Sequence, residues 1–280
     1  MKNKMNKVFG MLASLSFAWF LGACTPVSQY DYSPYQNIFL EEGAHLTDDA
    51  SSPLCDFSMD YSFLKEENDS IAMIINREMQ REFLGGDYAT LAPEIAIDSF
   101  KNTYIRNYRE ETGKLYAVSK AQASSEEEIP AWFDQTYSMV NFLDEGREGI
   151  IHVSANMYVD MGGAHPNQWA RWLNFDSNTG KRLALEDVFK PEAKQDIEQL
   201  LLLSLIARQA NENPEEKVET LEDLQKQGFL QLTSIYIPDN FILGKEEVSF
   251  LFNRYDIAPY SAGEIVLHIS YEKIGPFMKI

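Results

Sequence analysis

The chain has 280 residues with 24 basic and 43 acidic side chains, a formal charge of −19 and a pI of about 4.6. So negative a field repels nucleic acid and anionic lipid headgroups and speeds encounter with cationic partners, which argues against DNA or RNA as ligands. Two cysteines make no disulfide framework, so stability has to come from an apolar core, which a chain of this length is able to build.

The start of the chain reads as an export signal. Lys2, Lys4 and Lys7 precede an apolar run from Val8 to Leu21, which ends in Leu21-Gly22-Ala23-Cys24. The run is short of the roughly 20 residues that a spanning helix needs, and small residues before a cysteine suit a lipoprotein peptidase. Residues 1–23 are therefore expected to be a signal peptide, with Cys24 as the acylated new N-terminus. Cleavage there removes three lysines and no acid, which takes the formal charge from −19 to −22. Cys55 is then a lone thiol, read as buried and inert. Residues 24–54 are polar and rich in turn formers, with Pro26, Pro34, Gly43 and Pro53, and read as a tether and irregular lead-in.

Residues 55–120 read as an N-terminal α+β half. Phe57, Met59, Tyr61 and Phe63 alternate with Ser58, Asp60 and Ser62, the period of a half-buried strand. Asn68 or Asp69 caps a helix marked by Ile71, Ile74, Ile75, Met79 and Phe83, and Gly85-Gly86 stops it. Pro93 opens a second helix lined by Ile97, Phe100, Tyr104 and Tyr108, which Gly113 interrupts or ends. The small, acidic stretch Ala121 to Glu128 reads as a surface connection.

Residues 129–280 read as a C-terminal α+β half. Ile151, Val153, Ala155, Met157 and Val159 alternate with polar neighbours, and Gly162-Gly163 breaks that strand. Trp169 to Phe175 returns, and Asn178-Thr179-Gly180 turns toward Leu183, Leu185, Val188 and Phe189, which suggests a β-meander. Pro191 opens the longest helix, with Ile197, Leu200, Leu201 and Leu205 on a broad apolar face, and Asn213-Pro214 closes it. Strands follow at Ile235 and Ile237, at Phe241 and Leu243, at Val248 to Phe252, and at Ile265 to Ile269. Grouped rather than alternating elements give an α+β class: two lobes of antiparallel sheets packed by helices.

Several of these residues form an ordered set. Tyr158, Gly162-Gly163-Ala164-His165-Pro166-Asn167, Asn174-Phe175-Asp176, Thr179-Gly180-Lys181, Leu185 and Asp187-Val188-Phe189 are followed by Phe250, Phe252, Tyr255 to Tyr260 and Gly263. Together they resemble the signature of the extracytoplasmic domain shared by RsiV-type anti-sigma factors and PdaC-type peptidoglycan deacetylases, over roughly residues 55–280. The resemblance implies two α+β lobes on the outer face of a membrane, used as a sensor or accessory domain near the cell wall; in the anti-sigma members it recognises lysozyme. The chain shows neither a sigma-binding helix ahead of a transmembrane segment nor a deacetylase domain, so those two activities are not carried over.

The chemistry-bearing residues point the same way. His165 sits in a Gly-Gly-Ala-His-Pro-Asn turn with no nucleophile specified nearby, so a structural or contact role is expected rather than catalysis. His45, His152 and His268 lack metal-ligand spacing, and no calcium loop, nucleophile elbow, phosphate loop or dinucleotide fingerprint is present; no metal or cofactor is expected. Aromatic residues on turns, Trp169 with Trp172 and Tyr255 with Tyr260 about Pro259, suit a contact surface, although one tryptophan of the first pair should be core. The expected contact set is Gly162, Gly163, His165, Pro166, Asn167, Trp169, Pro259 and Tyr260. The expected function is a non-enzymatic, lipid-anchored envelope protein that binds a wall-associated protein such as lysozyme, or peptidoglycan. The alternatives are an enzyme acting on wall glycan through His165, Asp160 and Asp176, and a structural module of an envelope complex.

Overall fold

The computed structural model describes residues 34–67, 69–125, 129 and 131–280; the expected export signal and Cys24 lie outside them. Five strands form the first sheet: β1 (Tyr35–His45), β2 (Leu54–Leu64), β3 (Gln135–Glu145), β4 (Ile150–Asp160) and β5 (Asn167–Asp176), in that order across the sheet. Three more form the second: β6 (Phe241–Leu243), β7 (Glu247–Phe252) and β8 (Ile265–Ser270). The class is α+β.

The chain between β2 and β3 carries α1 (Ser70–Phe83), α2 (Pro93–Asn107), a π turn (Tyr108–Thr112) and α3 (Gly113–Gln122). Asp69 caps α1 by accepting from the N–H groups of Ile71 at 2.8 Å and Ala72 at 3.2 Å. This helical crossover lets β2 and β3 run parallel, whereas every other pair is antiparallel. The expectation of purely antiparallel sheets is corrected on that point. The helices cover one face of the sheet, where Phe57, Met59 and Tyr61 meet Ile75, Met79, Ile97, Met139, Val153 and Phe175, all at most 1% exposed.

Beyond β5 come a single helical turn α4 (Leu185–Val188), the long α5 (Lys194–Glu212), α6 (Leu221–Lys226) and, after β8, α7 (Tyr271–Ile274). Ile197, Leu201 and Leu205 recur every fourth residue on α5 and are fully buried against Phe250, Leu267 and Ile269 of the second sheet. At roughly 1.5–3 kcal/mol for each fully buried side chain of this size, those three hold α5 in place.

Several local expectations are overturned. Residues 35–45 form an edge strand, not an irregular lead-in; pairing with β2 supplies the hydrogen bonds that weak alternation did not announce. Gly113 neither ends nor breaks the helix, because the chain passes through the π turn and continues as α3. Ile235 and Ile237 are not in a strand, and Leu183 to Phe189 contains a helical turn rather than a meander strand. The two large cores divide after β5, not at residues 121–128, since β3, β4 and β5 complete the sheet that β2 begins.

The two sheets are joined by asparagine side chains. Asn240 donates to Ala170 O at 2.7 Å and accepts from Trp172 N–H at 2.6 Å. Asn253 accepts from Ala170 N–H at 2.7 Å, and Asn174 spans to Phe241 O and Leu243 N–H, both at 2.8 Å. Asn240 and Asn253 satisfy the outer edge of β5 in place of a sixth strand, while Asn174 reaches out from β5 to the backbone of β6. No helix among the described residues is long and apolar enough to cross a membrane.

Candidate functional site

Two loops far apart in sequence meet at one end of the first sheet. The first is the Gly162–Pro166 turn between β4 and β5; the second, residues 253–263, joins β7 to β8. Asp160 at the end of β4 accepts from Gly162 N–H at 2.9 Å, and Gly162 takes φ +71°, a conformation that an L side chain disfavours. A Cβ there would stand 2.2 Å from Trp132 Cβ and 2.3 Å from its Cα, so the turn packs directly on the backbone at Trp132. Gly163, by contrast, faces open space, with its nearest neighbour 3.8 Å away.

His165 emerges from this turn exposed to solvent. Its ring stacks on Tyr260, with centroids 4.0 Å apart and planes at 24°, and Nε2 lies 3.1 Å from the Tyr255 hydroxyl. The Tyr260 hydroxyl donates to Pro166 O at 3.1 Å, which ties the two loops together. Tyr255 has φ +71°, a strained backbone state for a bulky residue, and the residue is 62% exposed. Asn253 and Asp256 lock that bend: Asn253 N–H donates to Asp256 Oδ2 at 2.7 Å and Asp256 N–H to Asn253 O at 3.0 Å. Arg254 places its guanidinium 4.6 Å from the Tyr260 ring centre and donates to Tyr260 O at 3.0 Å. Pro259 leads into the 3-10 turn Tyr260–Ala262.

Of the expected contact set, His165, Pro166, Pro259 and Tyr260 are brought together. Gly162 is a packing position. Asn167 opens β5 opposite Val159, exposed. Trp169 lies across from Met157 at the sheet margin, and at 38% exposure its indole remains open to solvent. Trp172 is half-buried on the opposite face, so neither tryptophan is core, contrary to expectation. The second loop supplies residues outside that set: Arg254, and Tyr255 as a closer partner of His165 than its position before Pro259 suggested. Arg254 carried no signal in sequence beyond its place beside Tyr255.

The alternative catalytic trio is not assembled. Asp160 pairs across from Thr136 at one end of the sheet, while Asp176 pairs with Ile150 at the other. A strand of this length spans roughly 30 Å at about 3.3 Å per residue, so His165 and Asp176 do not share a site. Asp176 is committed to its own turn, where the Thr179 hydroxyl, donating at 2.8 Å, and the N–H groups of Thr179 and Asn178 hold its carboxyl below the usual range. Among the described residues, no cluster of three or more His, Cys, Asp or Glu side chains is arranged to hold a metal. Cys55 is fully buried, and burial pushes its thiol up to about 11, which leaves it unreactive at neutral pH. His268 lies 2.9 Å from both Glu247 and Ser249 through the same nitrogen, Nδ1, which does not form a relay.

Residues 186–272 match a family model described as a protein of unknown function (DUF3298). The matched segment contains Tyr255, Pro259 and Tyr260 but ends short of the His165 turn on its N-terminal side. No curated protein matches the chain. Among solved structures, a member of the DUF3298 family from Bacteroides fragilis NCTC 9343 aligns with a TM-score of 0.79 and 25% identity, covering 88% of this chain and 93% of that one. A DUF3298 family protein from Pseudomonas aeruginosa PAO1 aligns with a TM-score of 0.57 and 20% identity, covering 88% and 94%, and shares the fold.

Proposed function

We propose that the protein is a non-enzymatic binding module of the cell envelope, anchored by lipid on Cys24, whose His165–Tyr255–Tyr260 platform contacts a cationic wall-associated protein such as lysozyme. The observation that carries this reading is the convergence of two remote loops on exposed aromatic rings, one of them held in a strained backbone state. Rigid aromatic side chains on loops supply large contact area at small entropic cost, and stored strain marks positions that packing alone would not select. The dispersal of His165, Asp160 and Asp176 argues against the enzymatic alternative. The formal charge of −19 favours a cationic partner by raising its association rate. The finer likeness to RsiV-type and PdaC-type extracytoplasmic domains, carried by the Gly162–Asn167 and Tyr255–Tyr260 motifs, supports the same ligand class.

Calorimetric titration of the purified protein with hen-type lysozyme at low and moderate salt, beside a muramidase assay, tests the reading. One-to-one binding that survives moderate salt and is lost in His165→Ala and Tyr255→Ala supports it. Binding that vanishes with salt shows only opposite charges meeting, and no binding at either salt overturns the lysozyme assignment. For the anchor, metabolic labelling with a fatty acid should mark the wild type and not Cys24→Ala; a labelled Cys24→Ala protein would refute it.

A further inference from the structure

Side chains cover most outer edges of the two sheets. Asn240 and Asn253 occupy backbone groups of β5 and Asn174 those of β6, while from α5 Ser204 donates to His268 O and Arg208 to Val266 O on β8. The outer edge of β1 differs. Leu46 N–H donates to Pro53 O and Lys65 N–H to Pro34 O, so the even-numbered residues of β1 face β2 and the odd-numbered ones turn their N–H and C=O groups outward. At one end His45 O accepts from Arg109 Nε at 2.9 Å. Among the described residues, the outward N–H and C=O groups of Asn37, Phe39, Glu41 and Gly43 meet no partner.

The same edge is unguarded in sequence. β1 holds neither proline nor lysine, and its register with β2 runs from Tyr35 to His45 without a bulge, whereas exposed edges are usually blunted by such features. Phe39 stands on it at 63% exposure, on the sheet face away from the helices, opposite Asp60. Half-buried Ile38 and Leu40 flank it on the other face. Which strand fits such an edge depends on what lies opposite each side chain. Two copies of β1, antiparallel about a two-fold axis at Phe39, set Phe39 on Phe39, Ile38 on Leu40, Asn37 on Glu41 and Gln36 on Glu42. Apolar then meets apolar, and no acid faces an acid. An axis at Ile38 sets Phe39 on Asn37, one at Leu40 sets Phe39 on Glu41, and one at Glu41 sets that acid on itself. The axis at Phe39 also ends the ladder at Gly43, short of the His45 carbonyl that Arg109 occupies.

We propose that β1 is a homodimer interface, through which two copies of this chain pair β1 against β1 about Phe39 and merge their first sheets into one. The contact is isologous, and it gives the outward N–H and C=O groups of Asn37, Phe39 and Glu41 the partners that a single copy lacks. A second copy is the occupant that the side chains select, because β1 is complementary to itself in that one register. This goes beyond the platform reading and does not rest on it: the His165 turn joins β4 to β5, at the other edge of the sheet. A formal charge of −19 on each copy opposes the encounter. Salt that screens this repulsion therefore tightens the dimer, whereas it weakens a complex with a cationic protein.

The experiment is sedimentation equilibrium of the purified full chain in mild detergent, over a range of protein and salt concentrations, beside mild oxidation of cysteine variants. The wild type should dimerise reversibly, and a few-fold more tightly at moderate than at low salt. Phe39→Lys sets like charges face to face on the axis and should weaken the dimer roughly tenfold or more, with the thermal midpoint unchanged because the residue is exposed. Phe39→Cys should cross-link to its own counterpart, since directly opposed residues of this kind lie about 5.5 Å apart at Cα, within disulfide reach. Glu41→Cys should not, because its counterpart lies roughly 14 Å away along and across the strands. Both are compared with the wild type, which carries the same Cys24 and Cys55. If Phe39→Lys fails to fold, the contrast between the two cysteine variants still decides. A monomer at every concentration and salt, a dimer that Phe39→Lys leaves intact, or equal cross-linking of Phe39→Cys and Glu41→Cys would each overturn the proposal. His165→Ala should leave the dimer within about twofold while it abolishes lysozyme binding, so failure of one reading is not failure of the other.

Discussion

The two turns that flank β5 are built from similar residues and used in opposite ways. Both carry a glycine in the left-handed region, Gly162 at φ +71° and Gly180 at φ +70°, and in both an aspartate at a strand end accepts from turn N–H groups. The turn after β5 closes on itself and packs inward: Gly180 is buried, and a Cβ there would press on Ile74 at 3.1 Å. The turn before β5 packs only its glycine, on Trp132, and sends His165 outward to Tyr255 and Tyr260. The difference lies in the neighbours. Helix α1 covers one end of the strand pair, while at the other end the partner is a second loop whose own backbone holds Tyr255 exposed. Similar local chemistry thus makes a structural corner at one end and a solvent-facing aromatic cluster at the other.

Substitutions sharpen that contrast. The largest effect is expected for Gly162→Ala, where the new Cβ meets backbone at Trp132: a loss of about 3 kcal/mol or more in chemical denaturation, against a change within about 0.5 kcal/mol for Gly163→Ala. Equal effects of the two would dissolve the assignment of Gly162 to packing. Next comes Asn174→Ala, which strands Phe241 O and Leu243 N–H inside the junction of the sheets and should cost about 2–3 kcal/mol. A neutral result there would mean that the second sheet does not depend on amide bridges to β5.

Glu82→Gln should cost about 1–2 kcal/mol at neutral pH, because this carboxylate holds Arg171 and Arg182 to α1. Burial pushes the Glu82 carboxyl up, but the hydrogen bonds and charges of Arg182 and Arg171 outweigh it and leave it below the usual range. A depressed carboxylate contributes stability above its unfolded value of about 4.3 and loses that contribution as pH falls through the folded value. The gap between wild type and Glu82→Gln in denaturation should therefore be flat above about pH 5 and shrink on further acidification; a gap that widens in acid would reverse the sign of the coupling. The smallest stability effect belongs to His165→Ala, within about 0.5 kcal/mol, paired with loss of partner binding. A large loss of stability without any binding phenotype would turn the platform into another structural corner.

Legibility in the sequence followed the strength of local signals. The strand at Phe57 to Phe63 and the Asp69 cap stood out because period and capping chemistry are local. The edge strand Tyr35–His45 did not, since its fit depends on the neighbouring strand rather than on its own alternation, and Ile235 and Ile237 alternate without a ladder to join. At the site, His165, Pro259 and Tyr260 were visible as a motif, yet the strained Tyr255 and the guanidinium of Arg254 were not, because neither backbone strain nor a missing carboxylate partner is written in residue order.

Residue order by itself determined the α+β class, the long amphipathic helix that packs on the second sheet, and the loops that carry aromatic residues, all of which rest on periodicity and turn chemistry within a few residues. Only the tertiary structure decided that β2 and β3 pair in parallel, that Asp160 and Asp176 stand at opposite ends of one sheet, and that the His165 and Tyr255 loops touch. Those outcomes depend on how strands separated by tens of residues come to lie side by side, and pairing across such separations is set by the burial of whole faces, not by any single neighbourhood.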